Sequence, residues 1–156
     1  MYLKRDIEFM RRPDLCYLNN SAESVFVEII RRDLKNIIVG VIYRPPVQDV
    51  REFCAESDIL LQTISKNSKV CALLGDYNFD LMKHQCHQIT SEFLDIMYAK
   101  MFFPLITRPT RITSHTATLL DNIFVNCLDS YCDSGLLFSD ISDHLPVFSI
   151  LSNNLD

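Results

Sequence analysis

The chain has 156 residues, of which 48% are hydrophobic and 10% aromatic, and it carries a net charge of -5. This composition is typical of one folded domain with a substantial core and excludes a disordered tail. The acidic excess lies after residue 48 and argues against a non-specific coat for nucleic acid, because such binding neutralises phosphates with lysine and arginine. It does suit a site that gathers carboxylates around a metal cation.

Membrane proteins and secreted proteins are two further classes that the sequence does not fit. The longest strongly apolar run, Ile37 to Tyr43, is far too short to span a bilayer, and the first six residues lack the apolar stretch of a signal peptide. No CxxC pair occurs among the six cysteines, so reduced thiols are the expectation. We therefore expect an intracellular protein without membrane contact.

The first elements in chain order are a polar, weakly patterned lead-in over residues 1–22 and a β-hairpin. Residues 25–30 and 37–43 are rich in β-branched side chains and flank a polar turn, which predicts two antiparallel strands. Pro45 and Pro46 end the second strand, because proline has no N–H to donate to a neighbouring strand.

Two amphipathic helices are predicted after the hairpin. Asp49 followed three residues later by Glu52 is a capping-box pattern, and the apolar residues after it repeat at helical spacing. Thr90 or Ser91 caps the second helix, and Pro104 marks its end.

Short apolar runs predict three more strands, at residues 70–74, 119–125 and 146–151. The first is almost wholly apolar, which is typical of a buried central strand. Strands interleaved with two helices indicate a mixed α/β or α+β fold, in which the helices cover one face of a largely antiparallel sheet.

Polar side chains stand at the ends of these strands, where a rigid scaffold can support chemistry. They are Tyr43, Asp76 with Asn78, Asp121 with Asn122, and Ser142, Asp143 and His144. Taken singly, most have a plain structural explanation, since Gly, Asp and Asn also build turns. Asp121 is harder to explain in that way, because a carboxylate among apolar neighbours is costly without a partner.

Together these residues form a set suited to phosphoryl transfer. Carboxylates bind a hard cation such as magnesium, asparagine offers a fixed hydrogen bond, and histidine carries charge near neutral pH. A hydrolase of this kind attacks phosphorus with a water activated by a metal or a carboxylate, while histidine and the metal neutralise charge that grows on the phosphate oxygens.

Four motifs follow one another in the chain, namely GVIYRPP at 40–46, GDYN at 75–78, LLDNIF at 119–124 and ISDHLP at 141–146. In this order they resemble the endonuclease/exonuclease/phosphatase superfamily. With RPTRIT at 108–113, the sequence of the motifs and of the residues around them is similar to that of the endonuclease domain of non-LTR retrotransposons. The resemblance covers residues 23–151, which we expect to be the C-terminal portion of such a domain, between the lead-in 1–22 and a tail at 152–156.

The resemblance implies a four-layered α/β sandwich, here partial, that hydrolyses phosphodiesters with magnesium or manganese. In the retrotransposon branch the enzyme nicks chromosomal DNA to prime reverse transcription. DNA is then the expected substrate, and the nucleus is the expected location if the substrate is chromosomal.

The resemblance also assigns roles to five catalytic residues. Tyr43 would lie beside the scissile phosphate, and Asp76 would orient or deprotonate the attacking water and help to hold the metal. Asn78 would hydrogen-bond the phosphate region. Asp121 would orient His144, which would stabilise the transition state.

Four more residues receive supporting roles from the same motifs. Asp143 would help to hold the metal, and Ser142 would support the site from the same loop. Thr110 or Arg111 would contact the DNA backbone.

The sequence departs from the family pattern at its start. In the family, an asparagine loop and a metal-binding glutamate precede the segment that begins this chain, and neither can be placed here, since Glu8, Glu23 and Glu28 lie in other surroundings. We therefore expect an N-terminally truncated domain with a weakly held metal and impaired activity. Open strand edges in such a domain would favour self-association or a partner.

Two other functions are consistent with the sequence. One is a non-catalytic interaction or nucleic-acid-binding remnant, which the acidic charge and the missing glutamate favour. The other is a phosphatase acting on a small molecule, which shares the four motifs but fits the retrotransposon-like wording less well.

Overall fold

The computed structural model of the chain describes residues 1–17, 21–32, 34–66, 69–128 and 131–151, with the backbone alone for residues 131 and 132. The elements in chain order are β1 (Phe9–Arg11), β2 (Glu23–Ile29), β3 (Ile37–Tyr43), α1 (Val50–Lys66), β4 (Val70–Asp76), α2 (Gln88–Ala99), β5 (Phe103–Pro104), β6 (Arg111–Ile112), β7 (Ala117–Thr118), β8 (Asp121–Val125), β9 (Tyr131–Leu136) and β10 (Val147–Leu151). Single-turn 3-10 helices lie at Pro13–Leu15 and Leu81–Lys83.

Six of the strands form one sheet in the order β1-β2-β3-β4-β8-β5. Neighbours are antiparallel except β3 and β4, which are parallel and are joined by the crossover helix α1. Two small antiparallel ribbons, β6–β7 and β9–β10, complete the fold. The predicted mixed α/β architecture, with a mostly antiparallel sheet and two helices, is confirmed.

Several elements differ from the sequence-based prediction. The central strand β4 continues past Leu74 to Asp76. The strand β8 begins only at Asp121, whereas the sequence-based prediction began it two residues earlier, at Leu119. The lead-in also contains a strand, because β1 pairs with β2 in the register Phe9 opposite Ile29. A strand of three exposed residues is too short to show a periodic pattern.

The main core lies between the sheet and its two helices. The face of α1 that packs inward carries the apolar residues at the predicted helical spacing, and Phe53, Leu61 and Ile64 are almost fully buried. Phe93 of α2 stacks on Phe79 with ring centroids 4.6 Å apart. Each such side chain contributes about 1.5–3 kcal/mol when it leaves water, so this layer is the principal source of stability. No helix within the described part of the chain is long and apolar enough to cross a bilayer.

A buried ion cluster fixes the end of the sheet that lies away from the polar strand ends. Glu28 in β2 is 1% exposed, and its carboxylate accepts hydrogen bonds from Arg12 at 2.6 Å and from Asn36 at 2.9 Å. The Lys69 ammonium group also pairs with it. Glu28 therefore joins the lead-in, the β2–β3 turn and the start of β4, and its charge is fully compensated within the protein.

Replacement of Glu28 by glutamine is expected to destabilise the fold. Loss of one partner from a buried ion pair costs about 3 kcal/mol, so urea denaturation at pH 7 should show a fall of that order in the free energy of unfolding. The matched control is Glu23→Gln, since Glu23 is exposed on the same strand. We expect that variant to change by less than about 0.5 kcal/mol.

The contribution of Glu28 should also depend on pH. Burial raises the pKa of Glu28, but hydrogen bonds from Lys69, Asn36 and Arg12 outweigh it and hold the pKa below the ordinary value. Because the pKa is lower in the folded state, the stabilisation is complete above the unfolded pKa of about 4.3 and is lost as the pH falls through the folded value. Acid should therefore reduce the stability difference between the wild type and Glu28→Gln. A constant difference down to the folded pKa would contradict this account.

Candidate active site

The alternation of side chains along the strands decides which face of the sheet carries the polar residues. Leu73 in β4 and Phe124 in β8 point into the core beneath the helices. Asp76 and Asp121 stand three positions away from them, and an odd separation along a strand places them on the opposite face. Tyr43 likewise follows the core residue Ile42.

The strand register brings these polar residues into one row across the sheet. Tyr43 pairs with Asp76 between β3 and β4, and Asp76 pairs with Asp121 between β4 and β8. Neighbouring strands lie about 4.8 Å apart, so the two carboxylates are adjacent. The row continues to Glu23 on the far side of Tyr43.

Gly75 is required by the close approach of β3 and β4. A Cβ atom at this position would lie 1.8 Å from the backbone oxygen of Ile42, a distance that no side chain can adopt. The glycine of the GDYN motif thus allows the parallel pair to form, and the register of that pair places Asp76 opposite Tyr43.

The turn after β4 holds the Asp76 carboxylate in place. Asn78 has a φ of 50°, in the left-handed region that asparagine tolerates better than most residues. Its backbone N–H donates to Asp76 Oδ1 at 3.0 Å, and its side-chain Nδ2 donates to the backbone oxygen of Arg44 at 2.8 Å. The side-chain nitrogen is therefore engaged within the protein, and a role for Asn78 at a phosphate stays a prediction.

Arg44 supports the same turn from beneath, a role that the sequence reasoning missed. Its guanidinium group is buried and donates to the backbone oxygens of Tyr77 at 2.7 Å and Asn78 at 2.8 Å. The group also lies 4.4 Å from the centre of the Phe79 ring. Burial lowers the pKa of Arg44, but an arginine remains charged in proteins, so a fixed positive charge lies below Asp76.

The Asp121 carboxylate is paired with a histidine. Oδ2 of Asp121 lies 2.9 Å from Nδ1 of His144, and both side chains are largely covered. The backbone of Asp121 is fixed by Thr110, whose hydroxyl oxygen accepts hydrogen bonds from the N–H groups of Leu120 at 3.1 Å and Asp121 at 3.0 Å. An ionised carboxylate can only accept, so Nδ1 of His144 carries the proton, and no residue that the structure describes forms a hydrogen bond with Nε2.

His144 belongs to the loop between β9 and β10, and short-range contacts shape this loop. The Ser142 hydroxyl accepts from the His144 N–H at 3.1 Å and donates to its carbonyl at 2.9 Å. Leu145 N–H donates to the Thr110 carbonyl at 2.6 Å, which joins the loop to the strand that carries Arg111. Ser142 therefore lies where it can support the site, as its motif suggested.

Two of the residues assigned from the sequence lie apart from the central group. Thr110 is 0% exposed, and its hydroxyl accepts hydrogen bonds from the backbone of Leu120 and Asp121, so its contact with DNA stays a prediction that this burial does not favour. Asp143 instead forms an ion pair with Arg111, whose Nε lies 2.7 Å from Oδ2. The hydrogen bond from Arg111 holds the pKa of Asp143 below its ordinary value. A role as a metal ligand would require this pair to open.

Asp76, Asp121 and His144 offer ligand atoms that all lie within 4.8 Å of one another, the one such group that the described residues contain. Burial raises the pKa of Asp76, and the charge of Asp121 raises it further, against the hydrogen bond from Asn78. Two carboxylates that repel each other fit a divalent cation, which would relieve their repulsion.

Substitution of Gly75 by alanine is expected to disrupt the row of polar residues. The added methyl group must displace the β3 backbone, and we expect a loss of at least about 2 kcal/mol in the free energy of unfolding. Gly135→Ala is the matched control, because its Cβ would meet the flexible Phe148 side chain at 3.2 Å and should cost no more than about 1 kcal/mol. Equal effects in thermal unfolding of the two variants would contradict the proposed backbone contact.

Comparison with known proteins gives the fold. No family model and no curated protein matches the sequence. Among solved structures, the endonuclease domain of TRAS1, a telomere-specific non-LTR retrotransposon, aligns with a TM-score of 0.76 at 17% identity, over 95% of this chain and 70% of that domain. An endonuclease/exonuclease/phosphatase family protein from Leptotrichia buccalis aligns with a TM-score of 0.59 at 15% identity, over 95% of this chain and 61% of that chain.

The 3′ phosphatase NExo from Neisseria, solved with a product DNA hairpin, aligns with a TM-score of 0.58 at 14% identity, over 95% of this chain and 71% of that chain. The present chain thus spans only part of the length of these structures. At such identities the similarity establishes architecture, and the chain has the fold of the endonuclease/exonuclease/phosphatase proteins.

Proposed function

We propose that the chain is a phosphodiester hydrolase that acts on DNA with a divalent cation. The observation that carries this proposal is the bond of 2.9 Å between Asp121 and His144, formed beside a second carboxylate in the same row of the sheet. A histidine and two carboxylates at one strand edge have no evident use in holding the fold, whereas phosphoryl transfer uses all three.

His144 is suited to stabilise negative charge on a phosphate. Its Nδ1–H donates to Asp121, which fixes the orientation and the tautomer of the ring. When the ring is doubly protonated, Nε2–H can donate a hydrogen bond to a phosphate oxygen or to the leaving oxygen. Asp121 therefore acts through His144 as a positioning residue.

Asp76 and Tyr43 are suited to the two other parts of the reaction. The raised pKa of Asp76 makes its carboxylate a better proton acceptor for an attacking water than an ordinary surface aspartate. Tyr43 is 43% exposed in the neighbouring position of the row, where its hydroxyl can donate to a phosphate oxygen. Asp76 would help to hold the cation, which when bound would supply Lewis-acid stabilisation of the phosphate charge.

DNA is the substrate that the fold comparisons favour. The solved structures with this fold include the endonuclease domain of a retrotransposon and a 3′ phosphatase bound to a DNA hairpin. The exposed Arg111 lies beside His144 and would provide a positive group for a phosphate backbone if its ion pair with Asp143 opened. Action on chromosomal DNA would place the protein in the nucleus.

Conversion of supercoiled plasmid to open circles tests the activity. We expect nicking by the wild type with magnesium or manganese, its loss with EDTA, and a rate at least about a hundredfold lower for His144→Ala. The matched control is His84→Ala, because His84 is an exposed histidine that faces no carboxylate in the described structure. Nicking that persists in His144→Ala would overturn the assignment of the site.

Thermal unfolding provides a second test that needs no turnover. Magnesium at about ten times its dissociation constant should stabilise the wild type by about 1.4 kcal/mol and should not stabilise Asp76→Asn. Without the cation, the free energy of unfolding of Asp76→Asn should exceed that of the wild type by about 0.5–2 kcal/mol, because the substitution removes a charge that burial penalises. A folded wild type that neither nicks DNA nor responds to either cation would leave a non-catalytic nucleic-acid-binding remnant as the better description.

A further inference from the structure

The outer edge of β1 is an open edge of the main sheet, because β1 pairs with β2 on one side only. We propose that two copies of the chain join at this edge, through antiparallel pairing of their β1 strands about a two-fold axis at Met10. The two six-stranded sheets would then form one continuous sheet twice as wide. The inference goes beyond the proposed function and does not depend on it.

The hydrogen bonds of β1 show which backbone groups face outward. The Glu8 carbonyl accepts from the residue after β2 at 2.9 Å, and the Arg12 N–H donates to β2 at 3.0 Å. Alternate residues of an antiparallel strand face the same neighbour, so Met10 also faces β2, whereas Phe9 and Arg11 face away from it. No hydrogen bond to the outward N–H groups is present within the described residues. These groups are therefore available to a further strand.

The same edge exposes apolar side chains. Phe9 is 44% exposed and Met10 is 51% exposed. A groove of about 630 Å³ lies beside Phe9 and Arg11, and Val25 and Val27 of β2 contribute to its lining. An open edge with exposed apolar side chains is a surface that tends to pair with another strand. A strand added at β1 would cover this apolar surface.

The order of side chains along the edge is complementary to a second copy of itself. With Met10 on the axis, Glu8 lies opposite Arg12 of the second copy, and Phe9 lies opposite Arg11 of the second copy. The first pair joins opposite charges, and the second sets a guanidinium group beside an aromatic ring. The two-fold axis repeats each pair, and Phe9 and Arg11 exchange both of their outward hydrogen bonds in each repeat. This complementarity favours a second copy over an unrelated strand.

Other registers of the same pairing meet a conflict. An axis at Arg11 would oppose two arginines and set Phe9 opposite Pro13, which has no N–H to donate. An axis at Phe9 would require the Ile7 N–H, which already donates to the Lys4 carbonyl at 3.1 Å. The register described above avoids both conflicts.

The opposite edge of the sheet does not offer the same pairing. β5 has two residues, and one of them is Pro104, which lacks an N–H. The β1 edge is also remote from the proposed active site. β1 pairs with the Ile29 end of β2, whereas the row of polar residues lies at the Glu23 end. Association through β1 would therefore leave the proposed sites of both copies open.

Sedimentation equilibrium tests the association. The wild type at about 100 µM should show a mean mass that approaches twice that of one chain and falls on dilution. Phe9→Pro should weaken the association at least about tenfold, because it removes an outward N–H from each copy, at an edge position where a strand tolerates proline. The matched control is Phe9→Tyr, which keeps the N–H and the ring and should change the affinity by less than about twofold.

A disulfide bond tests the register. The two copies of Met10 would form a non-hydrogen-bonded pair with Cα atoms about 4.5 Å apart, which a disulfide can bridge. Phe9 is exposed to a similar extent, but its two copies would lie about 7–8 Å apart. In a Cys86→Ser background, which removes an exposed cysteine, oxidised glutathione should link Met10→Cys chains into a covalent dimer and leave Phe9→Cys chains mostly single.

Three results would overturn the inference. They are a wild type that stays monomeric at this concentration, association that is equal in Phe9→Pro and Phe9→Tyr, and cross-linking that is equal in Met10→Cys and Phe9→Cys. A monomeric chain would leave the edge of β1 to a strand of another protein. Plasmid nicking is a separate measurement, so each of these results leaves the proposed hydrolase in place, and absence of nicking leaves the dimer in place.

Discussion

The close contact between β3 and β4 is the constraint on which the rest of the structure depends. These two strands are the parallel pair of the main sheet, and only a glycine at position 75 lets them meet opposite Ile42. Their register sets Tyr43 beside Asp76, and β8 then adds Asp121 as the next member of the row. A shift of one residue in this pairing would turn Asp76 into the helical core, so the backbone register itself places the proposed chemistry.

Carboxylates at the two ends of this sheet differ in how far neighbouring positive groups compensate their charge. Glu28 is buried and surrounded by the positive groups of Arg12 and Lys69, and it contributes to stability. Asp76 is placed next to Asp121 with only indirect compensation, which is unfavourable for folding and useful for binding a cation. The charges of Asp76 and Asp121 are thus less fully compensated than that of Glu28, and a bound cation would relieve their repulsion.

Features that depend on residues close together in the chain could be predicted from the sequence, whereas features that depend on contacts between distant residues could not. Periodicity was sufficient for the hairpin, the two helices and the central strand, because each has a long apolar face. The motif order was sufficient to suggest that Asp121 meets His144. The role of Arg44 could not be found in this way, since it depends on carbonyl groups more than thirty residues away in the chain. The burial of Thr110 could not be predicted either, because buried and exposed hydroxyl residues in loops look alike in the sequence.

The order of the strands in the sheet also indicates at which stage of folding the proposed site forms. β2, β3, α1 and β4 are consecutive and assemble through contacts between neighbouring elements, whereas β8 reaches β4 only after α2 and the β6–β7 ribbon have been passed. Closing that long connection costs more chain entropy than forming the local pairs, so we expect it to come late in folding. Asp76 has neither Asp121 nor His144 beside it until then. A growing or partly folded chain therefore carries only separate parts of the proposed phosphodiester-cleaving centre, and completion of the sheet brings them together.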